Sequence, residues 1–399
     1  MKSNYEPLGK HIQLVDYRNS EEVTSTVLGI SIDKEFIPSV ANVIGTDLSR
    51  YKLISKGLFA CNPMHVGRDE RLPIALYEKG SPAIVSPAYF MFEIIDRDIL
   101  NEEYLMMWFR RPEFDRECWF MTDGSVRGGI TWDDLCRIQL PVPPYERQLD
   151  VVESYRAITR RIAMKKEIND NLAKTIKAVF KSWFLDFDAF DGVEFVQSQY
   201  GLIPNGWHYE LLGNLCDCVT KGTTPTTLGK DFTDTGINFI KGESINDDHS
   251  FNKTLFAHID DETDELLKRS RIYVNDIVFT IAGTLGKFAL VDSSVIPANT
   301  NQAVAIIRTS KIMPAMLYSY FIGEWQVEFY KRNTQQAVQA NLSLGTIKDL
   351  PILLPDSKGQ DHYMQLVTPL IVGMQNNFSE IERLYELQNQ LLARLSSSR

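Results

Sequence analysis

This chain repeats itself over nearly its whole length, and the repeat is what most restricts its fold. Tyr5-Glu6-Pro7-Leu8-Gly9 returns 204 residues later as Tyr209-Glu210-Leu211-Leu212-Gly213. Further on the offset settles at 212: Tyr104-Leu105 through Trp108-Phe109 match Met316-Leu317 through Tyr320-Phe321. At the same offset Ile130 and Leu135 match Leu342 and Ile347, and Ile138 and Pro143 match Leu350 and Pro355. The second copy therefore gains a net eight residues between Gly213 and Met316. A period near 210 is far too long for a solenoid repeat. It describes a tandem duplication of a whole domain plus its tail, and 399 residues leave room for two ordinary cores.

The tails are the clearest elements. After Pro143-Pro144 the pattern becomes helical, with Pro144 suited to the first turn. Its a and d positions are Val151, Tyr155, Ile158, Ile162, Lys165, Asn169, Leu172, Ile176, Val179 and Trp183, apolar except for the adjacent Lys165 and Asn169. The second tail follows the capping sequence Pro355-Asp356-Ser357. Its seam reads Val367, Ile371, Met374, Phe378, Ile381, Tyr385, Gln388, Leu392 and Leu395, and Pro369 predicts a kink or a late start. A 3.5-residue seam held over at least four heptads is a coiled-coil pattern, in which a polar a position can set register. The stretches 1 to 143 and 195 to 355 are different. Short β-rich runs such as SPAIVSPAYFMFEII and DIVFTIAGTLGKFALV are broken by Gly, Pro, Asn and Asp, and one clear helix comes late in each copy.

Between the copies stands KSWFLDFDAF, residues 181 to 190. Phe180, Trp183 and Phe184 share one helical face, Phe187 and Phe190 lie beyond it, and Asp186, Asp188 and Asp191-Gly192 supply turn chemistry. The aromatics are expected to form a plug where the first long helix meets the second domain or the tip of the partner helix. Three carboxylates close by would repel phosphate, which argues against a nucleotide-stacking platform.

A helix ending in this F-K-S-W-F-x-D-F pattern, flanked by two variable domains that each close on a Pro-rich strand, resembles the specificity subunit of type I restriction–modification enzymes. The later helix NNFSEIERLYELQNQLLARL is similar to the second shared region of that family. The resemblance covers essentially the whole chain and is strongest at 141 to 190 and 350 to 395. It implies an α+β chain: a tandem duplication of two mixed α/β target recognition domains, separated by two long helices that form an antiparallel coiled coil. The implied division is recognition domain 1 over 1–144, central helix over 145–187, recognition domain 2 over 188–356 and C-terminal helix over 357–399. It also implies the partners: double-stranded DNA with a bipartite site, two methyltransferase subunits docked on the helices, and restriction/translocase subunits. S-adenosylmethionine, ATP and magnesium would then bind those partners, with no cofactor in this chain. A single-chain restriction or methylation enzyme and a coiled-coil scaffold without DNA are the competing classes.

Catalytic motifs are missing from the sequence. Pro143-Pro144-Tyr145 ends like an amino-methyltransferase N-P-P-Y motif, but Val142 stands where the chemistry needs a hydrogen-bond acceptor. GTLGK at 283 to 287 lacks the first Gly and the final Ser or Thr of a phosphate-binding loop, since Ile281 and Phe288 occupy those places; a hairpin turn is expected. The six histidines are scattered and the five cysteines lack zinc spacing. No apolar run reaches the roughly 18–20 residues of a membrane span, and MKSNYEPLGK has no signal-peptide core, so a cytoplasmic protein without membrane contact is expected.

The formal net charge is −10, which disfavours indiscriminate coating of nucleic acid. Positive charge is local: Tyr145 to Leu185 holds nine Lys or Arg against five Asp or Glu, +4, leaving −14 elsewhere. Reading base edges needs polar side chains on loops beside phosphate contacts. In the first domain the candidates are Asn62, His65, Arg68, Arg71, Ser86, Tyr89, Ser125 and Arg127. In the second they are Lys221, Thr223, Thr224, Thr226, Lys230, Lys241, Thr284, Lys287, Asn299, Asn301, Gln302, Gln339 and Asn341.

Overall fold

The computed structural model describes residues 5–39, 45–64, 66–122, 128–190, 192–328 and 342–395. The chain divides into two compact units: Met1–Ile162 with Glu382–Arg399, and Ala163–Ile381.

The first unit is built on two four-stranded sheets. One has the spatial order Ile12–Leu14, Phe90–Ile94, Phe59–Cys61, Ile74–Leu76, all antiparallel neighbours. The other runs Phe36–Pro38, Val27–Ile30, Ala83–Val85, Lys52–Ile54, with the central pair parallel. A third pairing, Tyr5–Pro7 against Gln139–Pro141, closes the domain on itself. The strands are short because Gly, Pro and Asp interrupt every apolar run. The helix Glu102–Phe109 buries its whole apolar stretch from Tyr104 to Phe109, and Phe59, Phe92 and Phe109 form the aromatic centre of the core. Asn101 caps that helix by accepting from the amides of Glu103 and Tyr104.

In the second unit the same architecture returns. Cys216–Lys221, Val304–Thr309, Ile277–Thr280 and Phe288–Leu290 form one antiparallel sheet in that spatial order. Ala257–Ile259, Ile237–Ile240 and Ala298–Thr300 form the other, again with a parallel central pair. Where the first domain has a fourth strand, a single bridge from Ile272 to Ala298 remains. His208–Leu211 pairs with Pro351–Leu354 as the closing strands. The duplication read from residue matches is thus a duplication of strand order. GTLGK makes the hairpin turn between Ile277–Thr280 and Phe288–Leu290, with Gly283 and Gly286 at φ of +76° and +85°.

The two tails are single helices, Tyr145–Phe184 of 40 residues and Ser357–Arg394 of 38. The late start expected from Pro369 does not occur. Asp356 accepts from the Gly359 amide at 2.7 Å and starts the helix upstream, where buried Tyr363, Met364 and Val367 hold its first turns. Within the first unit Tyr155, Ile162 and Leu392 are buried and Ile158 is half-buried. Within the second, Ile176, Trp183, Ile371, Met374 and Ile381 are buried, and Leu172 and Phe378 pack partly against them. Tyr385 departs from the expected seam: it is 42% exposed and lines an open groove in the first unit. Lys165 and Asn169 meet Asn377 and the Met374 carbonyl of the second helix.

The 181–190 stretch forms the expected plug. Phe184 packs at 4.8–5.5 Å from Tyr320, Tyr363 and Trp207, and Trp183 lies 4.9 Å from Phe190. The helix stops at Phe184, and the Lys181–Asp186 ion pair with Phe187 at φ +59° turns the chain away.

Candidate nucleic-acid interface

Strand direction decides where the polar loops lie. In the second domain, Cys216–Lys221 and Ile277–Thr280 each pair antiparallel with Val304–Thr309, so their ends and its beginning share one sheet edge. The parallel strands Ile237–Ile240 and Ala298–Thr300 end together as well. Hydrogen bonds tie these loops to one another. The Gly222 amide donates to the Asn301 carbonyl at 3.0 Å, and a Cβ on Gly222 would stand 1.7 Å from the Thr300 carbonyl oxygen, so only glycine allows that approach. Thr300 Oγ1 donates to the Ile240 carbonyl at 2.7 Å, just before Lys241. The Ile281 amide donates to the Ala303 carbonyl at 2.8 Å, and Lys287 pairs with Asp247 at 3.0 Å.

This edge gathers Lys221, Thr223, Thr224, Lys241, Thr284, Lys287, Asn301 and Gln302 of the expected set. Thr224 Oγ1 donates to Gln302 Oε1 at 2.6 Å, joining two loops by side chains that are both able to read bases. Thr284 and Lys221 are exposed, and Lys221 has no ion pair among the described residues. Asn301 Oδ1 accepts from the Ala303 amide and shapes its own turn. Thr226 and Lys230 lie further along the first loop; Thr226 is exposed, and Lys230 pairs with Glu262 at 2.6 Å. Asn299 is a correction. It is fully buried, donates to Asp264 and the Leu267 carbonyl, and accepts from Ser270 and Thr300, so it holds the core and faces no ligand. The strand Ala298–Thr300 is buried on both faces, which a list of polar residue types does not reveal.

The first domain repeats the arrangement. Ile12–Leu14 and Phe59–Cys61 end, and Phe90–Ile94 begins, at one edge. Asn62 Oδ1 accepts from the Met64 amide at 3.2 Å, and the Pro63 carbonyl accepts from the Ile130 amide at 3.1 Å. Arg68 is exposed and bound through both Nε and Nη2 to Asp69, and these hydrogen bonds, helped by the carboxylate's charge, raise the guanidinium above its ordinary value. Arg71 pairs with Asp33 at 3.2 Å. Ser86 Oγ accepts from the Ala88 amide, and the Tyr89 hydroxyl is pushed up by burial. His65, Ser125, Arg127, Gln339 and Asn341 lie outside the described residues.

Residue type alone missed several members of this edge. Lys52 donates to the Tyr89 carbonyl at 2.7 Å and pairs with Asp16 at 3.5 Å, while Arg18 bridges Asp16 and the Arg50 carbonyl. The repeat points to them, since they sit beside the counterpart of the Lys221–Lys230 loop. Lys34 is the other omission. Buried and at φ +64°, it pairs with Asp115 at 2.5 Å and donates to the Leu72 carbonyl, pinning the loop that ends at Leu72. Burial pulls the Lys34 ammonium below its ordinary value, and the Asp115 carboxylate opposes that pull.

The cations of both edges are mostly held by neighbouring acids, as in Arg68–Asp69, Arg71–Asp33, Lys241–Glu243 and Lys287–Asp247. Ion pairs that solvent reaches are weak because water and salt screen them, so a phosphate can replace the acid at little cost. Among the described residues there is no cluster of metal-binding side chains, and no helix is long and apolar enough to cross a membrane.

Duplicated sheets that present polar loops at one edge, joined to long helices, define a class of two-domain repeat protein. Residues 204–382 match the family model of the type I restriction modification DNA specificity domain. The chain is 23% identical over 308 residues to the MjaIX specificity subunit of Methanocaldococcus jannaschii, covering 76% of this chain and 70% of that one. It is 22% identical over 332 residues to the HindI specificity subunit of Haemophilus influenzae, covering 67% and 70%. In fold it is similar to the crystal structure of the type I restriction–modification S subunit from M. genitalium, with TM-score 0.53 and 14% identity over 99% of this chain and 96% of that one. Residues 204–382 thus carry the likeness to a type I DNA specificity domain, and over most of its length the chain is similar to specificity subunits of type I restriction–modification systems.

Proposed function

We propose that this chain is the specificity subunit of a type I restriction–modification system and is non-catalytic, and that it reads a bipartite site in double-stranded DNA, one half per recognition domain. The division of labour follows 1–144 and 188–356 as readers, with 145–187 and 357–399 as an antiparallel coiled coil that spaces them and docks two methyltransferase subunits. Restriction/translocase subunits join through that assembly, and S-adenosylmethionine, ATP and magnesium are held by the partners. The chain works in the cytoplasm, where chromosomal and invading DNA are both within reach.

One observation carries this reading: both domains have the same strand order and present polar, cation-bearing loops at the same sheet edge. Loops fixed at the edge of a rigid sheet can hold donors and acceptors against base edges while exposed Lys and Arg meet phosphates. The test is reconstitution. The isolated chain transfers no methyl group from labelled S-adenosylmethionine to DNA, and transfer begins when its methyltransferase subunits are added. Transfer by the isolated chain would contradict the proposal.

A further inference from the structure

Near the middle of the two long helices, the second unit buries a polar cluster in an otherwise apolar seam. Lys165 Nζ donates to Asn377 Oδ1 at 2.9 Å and pairs with Glu380 at 2.8 Å. Asn377 Nδ2 donates to Asn169 Oδ1 at 2.7 Å, and Asn169 Nδ2 donates to the Met374 carbonyl at 3.3 Å. Asn169 is 3% exposed and Asn377 7%. Leu172, Ile176, Ile371 and Met374 continue the seam without a polar atom in their side chains beyond the Met sulfur.

The cluster lies on the symmetry of the repeat and also breaks it. Lys165 and Asn377 are 212 residues apart, which is the offset of the duplication, so equivalent positions of the two copies bond to each other. Asn169 has Ile381 as its counterpart, so its amide has no mirror image in the other copy. The network can therefore form in only one alignment.

We propose that Lys165, Asn169 and Asn377 are the register lock of the helix pair. Resting on the reading of the helices as the spacer between two half-site readers, they are also the residues that fix spacer length. Slipping one helix by a heptad would place Asn169 against Val367 and Leu370, or against Ile381 and Leu384, in place of Met374 and Asn377. Lys165 would meet Leu370 and Gly373, or Leu384 and Leu387, in place of Asn377 and Glu380. Each slip leaves buried amides and an ammonium without partners, a penalty that an all-apolar seam does not carry.

The test uses the full chain with its methyltransferase subunits and a DNA library in which only the gap between its two half-sites varies. In Lys165→Leu/Asn169→Leu/Asn377→Leu, preference for the native gap over gaps about three base pairs longer or shorter falls by about tenfold or more. One heptad is about 10 Å of helix, and one unsatisfied buried group corresponds to about a factor of ten. The helical melting temperature stays equal or rises, because apolar replacements of buried polar groups are commonly neutral or stabilising. Asn169→Leu/Asn377→Leu keeps the Lys165–Glu380 pair and relaxes the preference less, and it serves if the triple variant does not fold. A third chain keeps the cluster and gains one heptad in each helix, after Leu172 and before Ile371. It shifts the preferred gap by about three base pairs with its strictness intact. If that insertion shifts the gap while the apolar variants stay strict, the lock is wrong and the spacer reading stands. If the insertion leaves the gap unchanged, both are wrong.

Discussion

The two duplicated domains share a strand order but meet their helices by different chemistry. In the second unit, Phe180 packs against Tyr320, Phe184 and Trp325, and a Cβ on Gly323 would stand 2.2 Å from the Phe180 ring. At the 212-residue offset, the first unit has Leu392 for Phe180, Leu395 for Trp183, Trp108 for Tyr320 and Arg111 for Gly323. Arg111 is buried with its guanidinium 3.9 Å over the Trp108 ring, and burial lowers its pKa from the ordinary value. Arg156 pairs with Glu103, and Arg110 lies 5.8 Å over Tyr155. An open groove of about 680 Å³ remains there, lined in part by Tyr155, Leu392, Arg110 and Arg116. One junction is a dry aromatic plug and the other a cationic seam beside open space. The strand order is kept on both junctions, so the junctions differ while the loop edges stay alike.

That contrast can be broken by comparing truncations. Phe180→Ala is expected to destabilise the chain by about 3–5 kcal/mol, because the surrounding rings cannot collapse into the space. Asp115→Ala, in the first unit, should approach that cost, since it leaves Lys34 buried without its carboxylate, a loss of about 3–5 kcal/mol for broken buried pairs. Adding Lys34→Met should recover most of it. Leu392→Ala is expected near the low end of about 2–5 kcal/mol, because its neighbourhood is already open on one side. Arg156→Ala removes a half-exposed ion pair and should cost about 0–1 kcal/mol. Urea unfolding followed by tryptophan fluorescence measures all five variants. Equal costs for Phe180→Ala and Leu392→Ala would remove the distinction between the junctions.

How much of this was legible in the sequence depends on the range of the interaction. The long helices showed themselves through a seam repeated over many turns, and the plug through three aromatics on one helical face with two more just beyond the helix end. The start of the second helix was harder to place, because Pro369 is a local argument against helix while the Asp356 cap and the buried face of Tyr363, Met364 and Val367 outweigh it. At the loop edge, residue type picked out Thr224, Gln302 and Lys287, which the fold does bring together, but it also admitted Asn299, since buried and exposed asparagines look alike until the fold is known. Lys34 was missed because its partners Leu72 and Asp115 are 38 and 81 residues away, and a lone lysine gives no hint of burial.

The central claim is that each domain reads one half of the site by the loops at its own sheet edge. The most direct measurement is the methylated motif in cells carrying the subunit with its methyltransferase. Two variants alter equivalent loops: Arg68→Ala/Arg71→Ala after the strand Phe59–Cys61, and Thr284→Ala/Lys287→Ala after the strand Ile277–Thr280. Each lost base contact is worth about 1–3 kcal/mol of discrimination, enough to relax a position visibly. The account predicts that the first variant relaxes or weakens one half of the motif and the second variant the other, with the gap between the halves unchanged. Both variants altering the same half, or either one altering both halves, would contradict it.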